Sequence, residues 1–127
     1  MNGKTLILIG VGGAIGSIAR FLCQKYIYDA SPGSNFPWGT FVVNISGCLL
    51  IGIFYALAEK GQLMNAEWRL FLTTGFCGGF TTFSAFAYEN VTLLRTANVL
   101  GFSLYTAGSV FLGILATYLG ILLVKLI

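Results

Sequence analysis

Four long stretches of this chain carry almost no charge, and their length constrains the fold more than any other feature. A helix needs about 20 apolar residues to cross the hydrocarbon core of a bilayer. Windows of at least this length cover residues 5–24, 39–58, 70–94 and 99–124, and the charged side chains inside them are Arg20 and Glu89. We therefore expect an all-α membrane protein in which residues 1–127 form a single four-span transmembrane domain.

The composition argues against most soluble functions. Apolar residues make up 57% of the 127 residues, and only seven basic and four acidic residues are present, which are too few to solvate a water-facing surface. The sequence contains no histidine, so the commonest general base is missing and we do not expect an enzyme. The basic residues are scattered singly, so nucleic acid is not an expected partner.

Three polar connections separate the windows, over residues 29–35, 59–69 and 95–98. In a four-span arrangement the basic residues divide almost equally between the two sides of the membrane: Lys4, Lys60, Arg69 and Lys125 against Arg20, Lys25 and Arg95. A chain that inserts in one orientation normally shows a clear excess on the cytoplasmic side. This near balance is typical of a chain that inserts both ways.

Glycines in the first window allow two interpretations. The run Gly10–Gly16 follows four aliphatic residues and by itself is similar to a dinucleotide-binding turn. That fold needs further strands alternating with amphipathic helices, whereas the downstream sequence is uniformly apolar. We prefer the other interpretation, in which Gly12 and Gly16 form a GxxxG face that lets another helix pack closely.

The third window contains the strongest local signal. Gly78 and Gly79 are followed by Thr81 and Thr82, and this combination weakens a helix at mid-membrane. A broken helix would leave main-chain carbonyls free to hold a cation. The alternative is close packing through the Gly75-x-x-x-Gly79 face without unwinding, and the spacing alone favours neither interpretation.

The same window carries a resemblance to a known family. Residues 75–86 read Gly-Phe-Cys-Gly-Gly-Phe-Thr-Thr-Phe-Ser-Ala-Phe, and together with Val42-Val43-Asn44 and Gly16-x-x-x-Arg20 they resemble the Fluc/CrcB family of fluoride channels. The resemblance covers the whole chain. It implies an antiparallel, dual-topology homodimer with two fluoride pores and a structural sodium ion at the dimer centre. It also implies passive fluoride export across the plasma membrane of a prokaryote, which is the inner membrane in a Gram-negative cell.

The resemblance assigns roles to particular residues. It implies a sodium ion held by the main-chain carbonyls of Gly78 and Thr81 from both subunits. It implies a fluoride pathway along the ring edges of two phenylalanines, one amide and several hydroxyls: Phe83, Phe86, Asn44, Tyr105, Ser109 and, one turn before Asn44, Thr40. Arg20 would lie near the pore entrance, and Glu89 would have a vestibule or pairing role. For each pathway residue the alternative is ordinary packing or hydrogen bonding between helices.

The chain departs from the family pattern where Ala85, Ala87 and Gly113 replace hydroxyl side chains of relatives. We therefore expect fewer hydroxyl groups along the fluoride pathway. Two other functions compete with a channel. A small dual-topology proton-coupled exporter would need an acid deep in the first window, which has Arg20 instead. A non-conducting assembly subunit is disfavoured by the third-window motif. Because Glu89 is the only acid inside the windows, passive flow is favoured over proton coupling.

Overall fold

The computed structural model describes residues 2–61 and 64–127, and its elements are helices joined by short connections. They are α1 (Gly3–Ala30), α2 (Trp38–Glu59), α3 (Ala66–Leu70), a π-helical segment (Phe71–Cys77), α4 (Gly78–Phe80), α5 (Phe83–Arg95) and α6 (Val99–Lys125). We call the stretch Ala66–Arg95 the third span. With α1, α2 and α6 it makes four helical stretches long and apolar enough to cross a membrane. The prediction of an all-helical chain with four such helices is confirmed.

Helices extend into two of the connections expected from the sequence. Helix α1 continues to Ala30 and is supported near its end by an ion pair between Lys25 Nζ and Asp29 Oδ2 at 3.0 Å, a favourable spacing of four residues. Helix α3 begins inside the second connection, where Asn65 caps it by accepting a hydrogen bond from the Trp68 N–H at 2.8 Å. Apolar windows report the thickness of the hydrocarbon core, and polar residues can continue a helix beyond it.

Helix α1 approaches the π-helical segment at backbone distance. A Cβ atom added to Gly12 would lie 2.6 Å from the Phe71 carbonyl oxygen, and one added to Gly16 would overlap the Phe76 carbonyl oxygen. Only glycine leaves room for this contact. The predicted GxxxG packing face of the first window is therefore confirmed.

Helices α2 and α6 pack in the same way. A Cβ atom on Gly52 would overlap the Thr117 carbonyl oxygen, and one on Gly120 would overlap the Leu49 carbonyl oxygen. By contrast, large apolar side chains on the outer faces, such as Ile18 at 61% and Phe111 at 67%, are exposed. Such surfaces suit contact with lipid or with another transmembrane chain.

The third span leaves the helical conformation at two adjacent threonines. Thr81 (φ −91°, ψ 157°) and Thr82 (φ −149°, ψ 117°) are extended, and the helix resumes at Phe83. Gly78 and Gly79 stay helical in α4, and a Cβ atom on Gly79 would overlap the Gly13 carbonyl oxygen of α1. Both interpretations of the motif thus apply, but to different residues: the glycines pack and the threonines interrupt the helix.

Candidate functional site

An open cleft with a volume of about 390 Å³ lies between α2, the third span and α6. Its walls bring together residues beside the helix interruption of the third span, two aromatic rings, a side-chain amide and a hydroxyl. Six of the residues singled out from the sequence line it: Asn44, Gly78, Thr81, Phe83, Phe86 and Ser109. Residues that are up to 65 positions apart in sequence therefore share one cavity.

The side-chain amide of Asn44 pairs with the peptide groups of Thr82, where the helix is interrupted. Asn44 Nδ2 donates to the Thr82 carbonyl at 3.0 Å, and Asn44 Oδ1 accepts from the Thr82 N–H at 2.8 Å. This pairing satisfies two backbone groups that would otherwise lack partners. It occupies one of the two amide N–H donors of the side chain and leaves the second for a ligand.

The interruption also changes the surroundings of the carbonyls expected to bind sodium. Because the Thr82 N–H donates to Asn44, the Gly78 carbonyl does not receive the bond from four residues ahead that a continuous helix would supply. The Thr81 N–H and hydroxyl both still bond to the Cys77 carbonyl at 3.0 Å. Main-chain carbonyls released in this way are the donors that discontinuous membrane helices offer to sodium.

Phe83 and Phe86 are three residues apart, a spacing that puts both rings on one face of α5, and both border the cleft. Their ring centroids are 5.7 Å apart with planes inclined by 42°. The Phe86 ring also packs against Tyr105, with centroids 5.0 Å apart. Phe83 is 79% exposed in the single chain, so most of its surface is open to another chain, to lipid or to a ligand.

A polar cluster lies beside the cleft and is centred on the Glu89 carboxylate. Thr40 Oγ1 donates to Glu89 Oε2 at 2.7 Å, and the Tyr105 hydroxyl donates to Oε1 at 2.7 Å. Gln24 Nε2 in turn donates to Thr40 Oγ1 at 3.1 Å. Thr40 and Tyr105 are buried. Because both hydroxyls donate to the carboxylate, neither proton is available to another acceptor in this conformation. Glu89, Thr40 and Gln24 also line a second cavity of about 320 Å³.

Ser109 and Arg20 differ in how they relate to the cleft. Ser109 Oγ is buried and has no hydrogen-bond partner among residues 2–61 and 64–127, which leaves its hydroxyl available to a ligand. Arg20 is half-buried on α1 and is not part of the cleft lining. Within the described ranges it makes no ion pair; the pairs found there are Lys4–Glu67 at 3.2 Å and Lys25–Asp29.

Sequence reasoning gave no role in the site to two residues that the structure brings into it, Gln24 and Thr82. Thr82 had a usable signal, because an interrupted membrane helix must satisfy its backbone groups internally. Asn44 is the single carboxamide of the second window and is a natural partner for them. Gln24 had no comparable signal, since a polar residue at the end of an apolar window is ordinary.

An interrupted third span, glycine-mediated helix packing and an open, mostly apolar cleft that holds a few polar groups define a multi-pass helical membrane protein. Residues 7–121 match the family described as CrcB-like protein, Camphor Resistance (CrcB). The chain therefore belongs to the CrcB family, and the resemblance inferred from the sequence motifs is confirmed.

Curated relatives resemble the chain over nearly its whole length. It is 51% identical over 118 residues to a protein of Phocaeicola vulgatus named fluoride-specific ion channel FluC, covering 93% of this chain and 96% of the relative. Proteins of the same name from Chlorobium luteolum and Flavobacterium psychrophilum are 48% and 44% identical. Those two alignments cover 95% and 96% of this chain and 92% and 98% of the relatives.

Proposed function

We propose that this chain is a fluoride-specific ion channel that lets fluoride leave the cytoplasm passively. Its membership of the CrcB family and its similarity to three bacterial proteins of that name support the proposal. The observation in the chain that carries it is the cleft that gathers Asn44, Phe83, Phe86 and Ser109. The bacterial relatives also support a place in the plasma membrane of a prokaryote.

The cleft offers the donors that a small, strongly hydrated anion requires when it sheds water. The unpaired Ser109 hydroxyl and the second N–H of Asn44 can donate hydrogen bonds. The rings of Phe83 and Phe86 can present positive edges. Hydrogen bonds to a charged partner contribute roughly 1.5–3 kcal/mol each beyond the water contacts that they replace, so each convergent donor favours an anion in the cleft.

The polar cluster extends this route in the proposal. Thr40 and Tyr105 would exchange their bonds to Glu89 for bonds to a passing anion, with Glu89 lining a vestibule at that end. Arg20 lies one turn before Gln24 of this cluster on α1 and would attract anions towards the same entrance, because a positive charge near a pore mouth raises the local anion concentration. Ala85, Ala87 and Gly113 add no hydroxyls to this track.

The working assembly is proposed to be a homodimer of inverted copies with sodium at its centre. The near balance of basic residues supports insertion in both orientations, and the exposed Phe83 supports a neighbouring chain at the cleft. Sodium would be held by the Gly78 and Thr81 carbonyls of both copies, with the interruption at mid-membrane. When bound, the ion would offset the mutual repulsion of these carbonyl dipoles.

Fluoride efflux from liposomes that contain the purified protein tests the proposal directly. We expect fluoride to leave rapidly, chloride to be retained, and the fluoride flux to be the same with and without an imposed pH gradient. Protein-free liposomes give the background. Flux that requires the gradient would instead support the proton-coupled exporter, and equal leakage of both anions or of neither would contradict the proposal.

A further inference from the structure

The interrupted backbone at Thr82 depends on one side chain. Thr82 is extended and only 8% exposed, so water does not satisfy its main-chain groups. Both its N–H and its carbonyl bond to the same Asn44 amide. In an apolar environment each unsatisfied backbone group costs several kcal/mol. Asn44 therefore stabilises this extended conformation by pairing both main-chain groups.

The conformation of Thr82 in turn directs α5. The Thr82 hydroxyl caps this helix by accepting from the Ala85 N–H at 3.1 Å, and Phe83 is its first residue. We infer that Asn44 is a positioning residue: it clamps the Thr82 backbone and thereby aims α5, with Phe83 and Phe86, at the cleft. This inference rests on the proposed function only where fluoride flux is the readout.

Replacing Asn44 by aspartate distinguishes this positioning role from direct donation of a hydrogen bond to fluoride. A protonated carboxyl has one O–H donor and one carbonyl acceptor, so it can reproduce both bonds to Thr82, but it has no second donor for an anion. An ionised carboxylate only accepts hydrogen bonds and would repel the Thr82 carbonyl. In the Asn44→Asp variant, the pairing with Thr82 therefore forms when the carboxyl group is protonated and is lost when it ionises.

Fluoride efflux of Asn44→Asp and of the parent protein is compared in liposomes at about pH 8 and about pH 5, because buried carboxyl groups hold their protons at higher pH than exposed ones. We expect at least a tenfold loss at high pH and a loss at least threefold smaller at low pH, where the pairing with Thr82 returns although the second N–H donor of Asn44 does not. Parent-like flux at both pH values would overturn the clamp, because an ionised carboxylate cannot hold both Thr82 groups. An equal loss at both pH values would also overturn it.

Two controls make the comparison interpretable. The other titratable groups around Asn44 are Glu89 on α5, Tyr105 on α6, and Cys48 and Cys77, which line the same cleft. All are present in the parent, so the ratio of variant to parent at each pH removes their contribution. Protein-free liposomes correct for hydrogen fluoride that crosses the lipid unaided at low pH.

Amide hydrogen exchange tests the clamp without any flux measurement. In detergent-solubilised Asn44→Leu we expect exchange in peptides covering residues 81–86 to be at least tenfold faster than in the parent. Ser109→Ala removes another polar group of the cleft that does not contact Thr82, so it should leave this exchange unchanged. Unaltered exchange in Asn44→Leu would overturn the inference, whereas a parent protein that does not conduct fluoride would overturn only the proposed function.

Discussion

Replacing Gly16 by alanine tests the backbone contact between α1 and the third span. The added Cβ atom would overlap the Phe76 carbonyl oxygen and lie 3.0 Å from the Phe76 carbonyl carbon and the Phe80 nitrogen. These are main-chain atoms that cannot rotate away, so the two helices must separate. Gly10→Ala is the matched control, because a Cβ atom at Gly10 meets nothing within 4 Å.

Two opposing effects set the magnitude. Alanine favours a helix over glycine by about 0.5–1 kcal/mol, a gain that both variants share. Overpacking costs about 1–3 kcal/mol, and only Gly16→Ala incurs it. We therefore expect Gly16→Ala to lower the free energy of unfolding by up to about 2.5 kcal/mol, whereas Gly10→Ala is neutral or slightly stabilising.

Thermal unfolding of the two variants and the parent in the same detergent measures this difference. Gly16→Ala should unfold at a lower temperature than the parent, and Gly10→Ala at the same temperature or higher. If Gly16→Ala were as stable as Gly10→Ala, the close approach of α1 to the π-helical segment would not be a structural contact and the reasoning would fail.

Four further outcomes are expected. Tyr105→Phe removes a hydroxyl that donates to a carboxylate and should lower the free energy of unfolding by about 1 kcal/mol. Tyr118→Phe is the control, because the Tyr118 hydroxyl bonds to nothing in the described part of the chain, and equal melting temperatures of the two variants would contradict the prediction. Phe83→Ile and Phe86→Ile keep an apolar side chain but lose the ring edge, so each should reduce fluoride efflux markedly at matched protein density. Labelling Lys60→Cys from one side of the membrane should modify about half of the molecules if orientation is mixed by the weak charge bias, and complete labelling or complete protection would rule out dual topology. Replacing sodium by a large organic cation during purification should reduce fluoride flux, and unchanged flux after verified sodium removal would exclude a structural sodium.

The helices and their close contacts were predictable because they depend on local sequence. An uncharged window of about 20 residues specifies a membrane helix, and Gly12 with Gly16 specifies a face on which another backbone can lie. The spacing of Phe83 and Phe86 likewise placed both rings on one side of α5. In each case the residues that form the sequence pattern are also the residues that make the structural contact, so no information about distant parts of the chain is needed.

The place of the interruption was not predictable in this way. Two adjacent glycines have the weakest helix propensity in the third window, yet Gly79 remains helical and packs against α1. The helix is interrupted at Thr81 and Thr82, and Asn44, on a different helix, supplies the partners of the Thr82 main-chain groups. The partners of Thr40 and Tyr105 also depend on how α2, α5 and α6 pack together, which no single window encodes.

The unpaired hydroxyl of Ser109 has a consequence for selectivity. A buried hydroxyl without a partner raises the free energy of the protein by about 1–3 kcal/mol. That penalty disappears when a hydrogen-bond acceptor bonds to the hydroxyl. A hydrogen bond to this hydroxyl would strengthen binding of an acceptor by about 5- to 150-fold, whereas the affinity for an apolar solute would not increase. An acceptor such as fluoride would thus be preferred at this position to any solute that cannot accept a hydrogen bond.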